Sequence, residues 1–425
     1  MNKKRTKKQE AGPLWVGVDW GDSEHAVSVV DEERTLLMQF RSGTRLGDLR
    51  ELARVLHGLG TVAGIAVEAT RNPVVQFLFE AGFTLYPVNP KLSKNWREGN
   101  SVAGVKSDVR DGLVLALELA RRHESLRAFE ASQAAAAELA GLCERRHMLV
   151  DDRTRLVQRL KALLKQYHPG ILEFFADWTS PAAWRFLRRF PRPDVLARAR
   201  KDTLIRFLRA NRIGLRPVWL ERIERRDQAA QWPRPADSLS LEMAALATVA
   251  QLLALESYIV QVERLIKECS AKMPQASLVR SLPGAGDRLA PALLAMMAEL
   301  EQEVDRHAAL RCLSGVAPVE NQTGKRRHAQ MRRRCNKHWR DVLHLFAQCS
   351  TRSSRWAKAY YELRSAAGDN YATALRKLAD KWLDILDSML THNEHYDEDR
   401  HIQALRKKGS PVYAKLCADS CGQSP

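Results

Sequence analysis

Four acidic side chains stand where a chain can hold them still. Asp19 closes the apolar run Leu14-Trp15-Val16-Gly17-Val18, and Glu68 closes a second one, Val62-Ala63-Gly64-Ile65-Ala66-Val67. Runs of that length and β-branched content read as strands buried on both faces, so each acid is placed at a sheet end. Asp108 and Asp111 follow in Lys106-Ser107-Asp108-Val109-Arg110-Asp111, three residues apart at the head of a helical pattern and so on one helix face. Four carboxylates turned toward one point repel each other unless a hard cation such as magnesium, bound through oxygen, lies among them. The plain alternative for each is a surface charge, or a helix cap for Asp108 and Asp111. Asp19 and Glu68, each ending an apolar strand, fit that alternative poorly.

The elements that must position these acids are legible upstream and downstream. Strands are expected at 14–19, 25–30, 35–40, 62–67 and 84–88, and helices at 46–59, 73–81 and 108–122. Three strands followed by alternating helix and strand give a mixed sheet covered by helices, in the order of the ribonuclease-H-like fold. Beyond it a long helical region covers 133–167, with Leu142, Leu149, Leu156 and Leu163 every seven residues, a coiled-coil-like seam. Its partner is expected at 240–269, either as an antiparallel arm or across chains. Between them, residues 169–235 form an insert rich in Arg and Trp, including Trp178, Trp184, Trp219 and Trp232. Arginines beside aromatics suit a nucleic-acid surface; here the tryptophans read mainly as core and part of the arginines as contact residues.

The C-terminal module opens with Leu282-Pro283-Gly284-Ala285-Gly286 before an apolar helix at 289–300. Such a helix-hairpin-helix-like turn directs backbone N–H groups of Gly284 and Gly286 toward a phosphate. From Lys325 to Arg340 there are eight Lys or Arg, two His and no acid; charge that dense calls for phosphate. The whole chain of 425 residues carries 68 basic against 50 acidic side chains, a formal charge of +18, which points to a polyanionic partner. Its seven cysteines are scattered, fitting a reducing compartment rather than a disulfide framework. No apolar run near the ~20 residues of a membrane span is read, nor a secretory signal, so a cytoplasmic protein is expected. The domains expected are a flexible basic arm (1–13), the nuclease-like domain (14–130), the helical region with its insert (131–273), a mainly helical C-terminal domain (274–400) and a polar tail (401–425).

Taken together, Val18-Asp19-Trp20-Gly21, Val67-Glu68-Ala69-Thr70, the Asp108/Asp111 segment, Leu282 to Gly286, Gly315-Val316-Ala317-Pro318 and Met331-Arg332-Arg333-Arg334-Cys335-Asn336 resemble the DEDD transposases of the insertion-sequence-110 group, the bridge recombinases. The resemblance implies a resolvase-like nuclease domain whose four acids bind Mg2+, and a C-terminal transposase domain whose hydroxyl attacks DNA to give a covalent protein–DNA link. It implies donor and target DNA, a structured noncoding guide (bridge) RNA, a dimer of dimers and no membrane, in a bacterial cytoplasm at the nucleoid. Lys325, Arg326, Arg327, Arg332, Arg333 and Arg334 would contact nucleic acid. The family's nucleophile is a serine before a glycine; the matching residue is Thr323 in Gln322-Thr323-Gly324-Lys325, whose extra methyl restricts rotation. A working threonine, an inactive copy and a role passed to Ser314 are the readings left open. A metal-dependent hydrolytic nuclease of resolvase type, with no covalent step, and a non-catalytic nucleic-acid-binding regulator are the rival functions.

Overall fold

The computed structural model describes residues 12–68, 73–88, 90–99, 108–126, 128–129, 131–233, 235–300, 305–323 and 326–421. The basic arm up to residue 11, the Lys106-Ser107 pair and the Gly324-Lys325 pair lie outside the described residues. The chain divides into two compact units, Met1–Ala137 and Glu138–Pro425.

The first unit is built on a five-stranded sheet. Strands β1 (Leu14–Asp19), β2 (Glu24–Val30) and β3 (Leu36–Gly43) are followed by α1 (Leu46–Gly58), β4 (Val62–Val67), α2 (Pro73–Glu80), β5 (Leu85–Pro87), α3 (Pro90–Gly99) and α4 (Asp108–Arg122). The strand order is β3-β2-β1-β4-β5; β2 runs antiparallel to β1 and β3, whereas β4 runs parallel to β1 and β5. This is the mixed ribonuclease-H-like sheet that the element order implies. Alternation along the strands sorts side chains to two faces. Leu14, Val16, Val18, Ile65 and Val67 pack with Leu52 and Leu56 of α1 and Val75 and Leu78 of α2. Trp15 and Ala66 pack with Leu115, Ala116 and Leu119 of α4. Continuing that alternation by two and four residues puts Asp19 and Glu68 on the α4 face.

Close approach of α4 to the sheet depends on glycine. A Cβ on Gly17 would run into the Gly112 carbonyl oxygen and the Ala116 amide, and one on Gly112 would meet the Ala26 carbonyl at 2.9 Å. Backbone on both sides leaves nothing that can turn away. Gly17→Val is therefore expected to lift α4 from β1 at a cost above about 3 kcal/mol, read as a lower midpoint in thermal unfolding.

The second unit has two cores joined by a helix pair, α5 (Ala131–Tyr167), which enters the unit from Glu138 onward, and α10 (Ser238–Ala271). Between them lie α6 (Pro181–Arg189), α7 (Pro193–Ala197), α8 (Lys201–Ala210) and α9 (Pro217–Glu224). Arg146 pairs with Glu263 at 2.7 Å and Arg153 with Glu256 at 2.9 Å. One number rises by seven as the other falls by seven, so the helices run antiparallel within one chain. Leu156 and Leu163 of the heptad seam lie against one core, where Phe174, Trp178, Trp184 and Phe186 meet Val249 and Leu252 of α10. Trp178 and Trp184 are thus core; Trp232 is exposed, and so are Arg185, Arg188, Arg189, Arg206, Arg209, Arg212 and Arg216. Helix α10 is also long and apolar enough to cross a bilayer, contrary to the expectation from the sequence; its buried face is taken up by both cores.

The other core gathers α11 (Ala276–Arg280), α12 (Gly286–Glu299), α13 (Arg306–Leu313), α14 (Lys337–Ser353), α15 (Arg355–Ala366) and α16 (Tyr371–His392). A two-stranded antiparallel hairpin, β6 (Val319–Thr323) and β7 (Arg326–Gln330), stands between α13 and α14. The expected polar tail at 401–425 is corrected by two further helices, α17 (Glu398–Lys407) and α18 (Pro411–Cys421). Val412 is buried in the core, and Ile402, Leu405 and Leu416 pack on it. Four apolar positions spaced over two short helices suffice to dock them, although the segment is polar overall.

Candidate active site

The site at the sheet end is built from four elements. Strand β1 delivers Asp19 at its last position, the residue after β4 is Glu68, and the first turn of α4 carries Asp111. Helix α3 crosses nearby and brings two residues that sequence reasoning missed, Ser93 and Arg97. Asp111 is 4% exposed. Its Oδ2 accepts a hydrogen bond from Arg97 Nη1 at 2.8 Å, and the same nitrogen lies 3.8 Å from Glu68 Oε2. Ser93 Oγ donates to that Glu68 oxygen at 2.7 Å. Burial works against the charge of Arg97, but the hydrogen bond to Asp111 and the attraction of Asp111, Glu68 and Asp19 hold its pKa above the ordinary value. Two of the four acids are therefore brought to one positive charge, and Asp19 acts on it through space. Asp108 opens α4, one turn before Asp111, and its side chain falls outside the description.

Helix α3 had a signal, though a faint one. Pro90 suits the first helical position, and Trp96 and Arg97 follow Ser93 by three and four residues, the spacings that share a helix face with it. Lys94 and Glu98 pair across the outer face at 3.6 Å. Trp96 is 4% exposed and seats the helix against Val88, Leu115 and Leu119.

Among the described residues no three His, Cys, Asp or Glu side chains stand close enough together to hold a metal ion. Instead Glu68 and Asp111 reach the guanidinium. The donor chemistry nonetheless suits a divalent ion: carboxylate oxygens at one end of the sheet, two of them, from Glu68 and Asp111, already drawn to a cation.

In the second unit, Thr323 closes β6, opposite Arg326 in the hairpin register, with Arg327 opposite Gln322. The side chains of Thr323, Arg326 and Arg327 fall outside the description. Ser314 is corrected as an alternative hydroxyl: it is fully buried, and its Oγ donates to the Leu310 carbonyl at 2.6 Å. The basic signature is braced against the preceding glycine motif. The Asn336 amide donates to the Leu313 carbonyl at 2.7 Å, Arg332 Nε donates to the Ala317 carbonyl at 3.4 Å, and Asn336 Oδ1 caps α14 through the Trp339 amide. Arg333 and Arg334 are exposed. In the Pro-Gly-x-Gly turn, Gly284 has φ 83° and lies so near α14 that a Cβ would meet the Cys349 carbonyl carbon at 2.9 Å. That glycine serves packing; Gly286, with φ 53°, is the exposed one, and Asp287 in the first turn of α12 already occupies its positive end.

Comparison with known proteins agrees along much of the chain. Residues 16–169 match the sequence model of a transposase family of DEDD, IS110 type, and residues 276–362 match that of the transposase IS116/IS110/IS902 family. The mini-circle putative transposase for IS117 of Streptomyces coelicolor is 27% identical over 407 residues, covering 92% of this chain and 97% of the relative. The putative transposase y4uE of Sinorhizobium fredii is 31% identical over 47% of this chain and 57% of its own. An uncharacterised 44.8 kDa protein of insertion element IS116 from Streptomyces clavuligerus is 25% identical, over 89% of this chain and 94% of that protein. Among solved structures, T. thermophilus RuvC in complex with a Holliday junction substrate aligns over 28% of this chain and 99% of its own, at 19% identity and a TM-score of 0.23.

Proposed function

The chain belongs to the IS110 family of DEDD transposases and acts on DNA, and from that premise we propose that it cuts and rejoins strands through a covalent protein–DNA link. One observation carries the reading: Glu68 and Asp111, with Asp19 close enough to act on the same guanidinium, converge at one end of the sheet. Asp19, Glu68, Asp108 and Asp111 would hold Mg2+, which when bound neutralises phosphate charge and stabilises the departing oxygen. The chain's own residues do the rest. Ser93 fixes one oxygen of Glu68, and burial of Asp111 strengthens its pull on positive charge. Thr323 supplies the nucleophile: its Oγ1 loses a proton and bonds to phosphorus, and the bond from phosphorus to a sugar oxygen breaks. That oxygen leaves as a hydroxyl. The number of phosphoester bonds is unchanged, so a hydroxyl on a second strand reverses the step without ATP.

The same reading includes donor and target DNA, a structured noncoding guide RNA, and a dimer of dimers. Nucleic-acid binding is supported by the formal charge of +18 and by the exposed Arg333 and Arg334, to which Lys325, Arg326, Arg327, Arg332 and the exposed Gly286 are added from the family motifs. Self-association is supported by Leu239, Met243, Tyr258 and Val260, apolar side chains left exposed along α10. The test is a nicked suicide DNA offered to the chain together with its copurifying RNA and Mg2+, resolved on a denaturing gel. DNA that migrates with protein attached is the expected product. Free ends alone contradict the covalent step and favour the hydrolytic reading, and function unchanged by Asp19→Asn contradicts both enzymes in favour of a binding regulator.

A further inference from the structure

We propose that Arg97 is a built-in counter-ion of the acidic centre, holding Glu68 and Asp111 together in the metal-free chain and giving way when a divalent cation binds. The inference rests on the metal reading above and adds the residue that competes for the site. Two carboxylates on one guanidinium exceed its charge, so the pair keeps an attraction for more positive charge. Asp111 and Glu68 have side-chain exposures of only 5% and 17%, where a lone carboxylate is costly. Without Arg97 the metal-free site would push them apart.

The geometry also makes the contact exchangeable. A guanidinium binds a carboxylate most tightly as a two-pronged fork, yet Arg97 presents one nitrogen, Nη1, to both acids, at 2.8 Å and 3.8 Å. A divalent ion at similar distances doubles the charge and takes both acids directly. Helix α3 need not move for this to happen: Trp96 anchors it in the core, while the Arg97 side chain is 28% exposed and has solvent to turn into. Ser93, on the same helix, stays with Glu68 and preserves that carboxylate's orientation.

The experiment titrates Mn2+ into the full-length, nucleic-acid-free protein, reading free Mn2+ by electron paramagnetic resonance and stability by thermal unfolding. Arg97→Gln removes the competing charge and is expected to lower the half-saturating Mn2+ concentration about tenfold, as for removing a competing state that is nine-tenths populated. The metal-free midpoint falls, and saturating Mn2+ raises it by more than in the wild type. Arg97→Lys keeps a positive charge and binds Mn2+ between the two, which controls for a Gln variant that folds badly. Wild-type binding with equal or weaker binding in Arg97→Gln overturns the counter-ion role alone, because Arg97 would then be supporting the metal site. Identical Mn2+ curves for wild type and Asp111→Asn overturn the metal centre and this inference with it.

Discussion

Replacing Asp111 by asparagine is expected to lower DNA strand cleavage at least about a thousandfold while leaving nucleic-acid binding within a few-fold of wild type. The side chain keeps its shape, so the site is not emptied; what it loses is the negative charge that a cation needs. The same outcome is expected for Glu68→Gln and Asp19→Asn, because the three acids come from α4, the end of β4 and the end of β1 and face one positive charge. Stability moves little by comparison. Arg97 loses the ionic part of its 2.8 Å contact with Asp111, but it is 28% exposed and recovers hydration, so a destabilisation of roughly 1–3 kcal/mol is expected. Gel-shift and cleavage assays on the same preparations separate the two effects. Cleavage that survives all three substitutions would remove these acids from the chemistry.

The second large effect is expected at Thr323. Thr323→Ala and Thr323→Val both lack the hydroxyl and are expected to abolish the protein-linked DNA, with strand exchange falling at least about a thousandfold. Val keeps the branched shape that suits the end of β6, so its failure isolates the hydroxyl from the fold. Thr323→Ser restores the hydroxyl without the methyl and is expected to match or exceed the wild type. In a purely hydrolytic enzyme water attacks, and Thr323→Ala would retain cleavage within a few-fold. The denaturing gel reads the difference directly.

Much of the first unit is legible in the sequence because its central strands β1, β2 and β4 are largely buried on both faces. Val16, Val18, Ile65 and Val67 are fully buried on the α1/α2 side, and a run of such residues ended by a carboxylate announces both the strand and the acid. Asp111 could be placed for a similar reason, since the apolar period of α4 starts beside it. Helix α3 was not legible: Pro90-Lys-Leu-Ser-Lys-Asn-Trp-Arg-Glu-Gly99 has one large buried apolar side chain, Trp96, and no period emerges from a single residue. Its place is set by tertiary contacts of Trp96, Ser93 and Arg97, which the order of residues does not display. The helices α17 and α18 hid likewise behind a polar composition. Ser314 shows the opposite limit: its hydroxyl reads as available chemistry until burial and the bond to Leu310 are known. The β6–β7 hairpin escaped because its strands are polar, although two residues, Gly324 and Lys325, separating them is a hairpin spacing.

The proposed cation site lies where β1, β4 and α4 meet. Crystals of the full-length chain soaked in Mn2+, with anomalous diffraction collected at the manganese edge, test it most directly. The expected result is an anomalous peak within bonding distance of carboxylate oxygens of Asp19, Glu68 and Asp111, with the Arg97 side chain turned away from Asp111. A fully occupied peak elsewhere, with Arg97 still on Asp111 and Glu68, would contradict it.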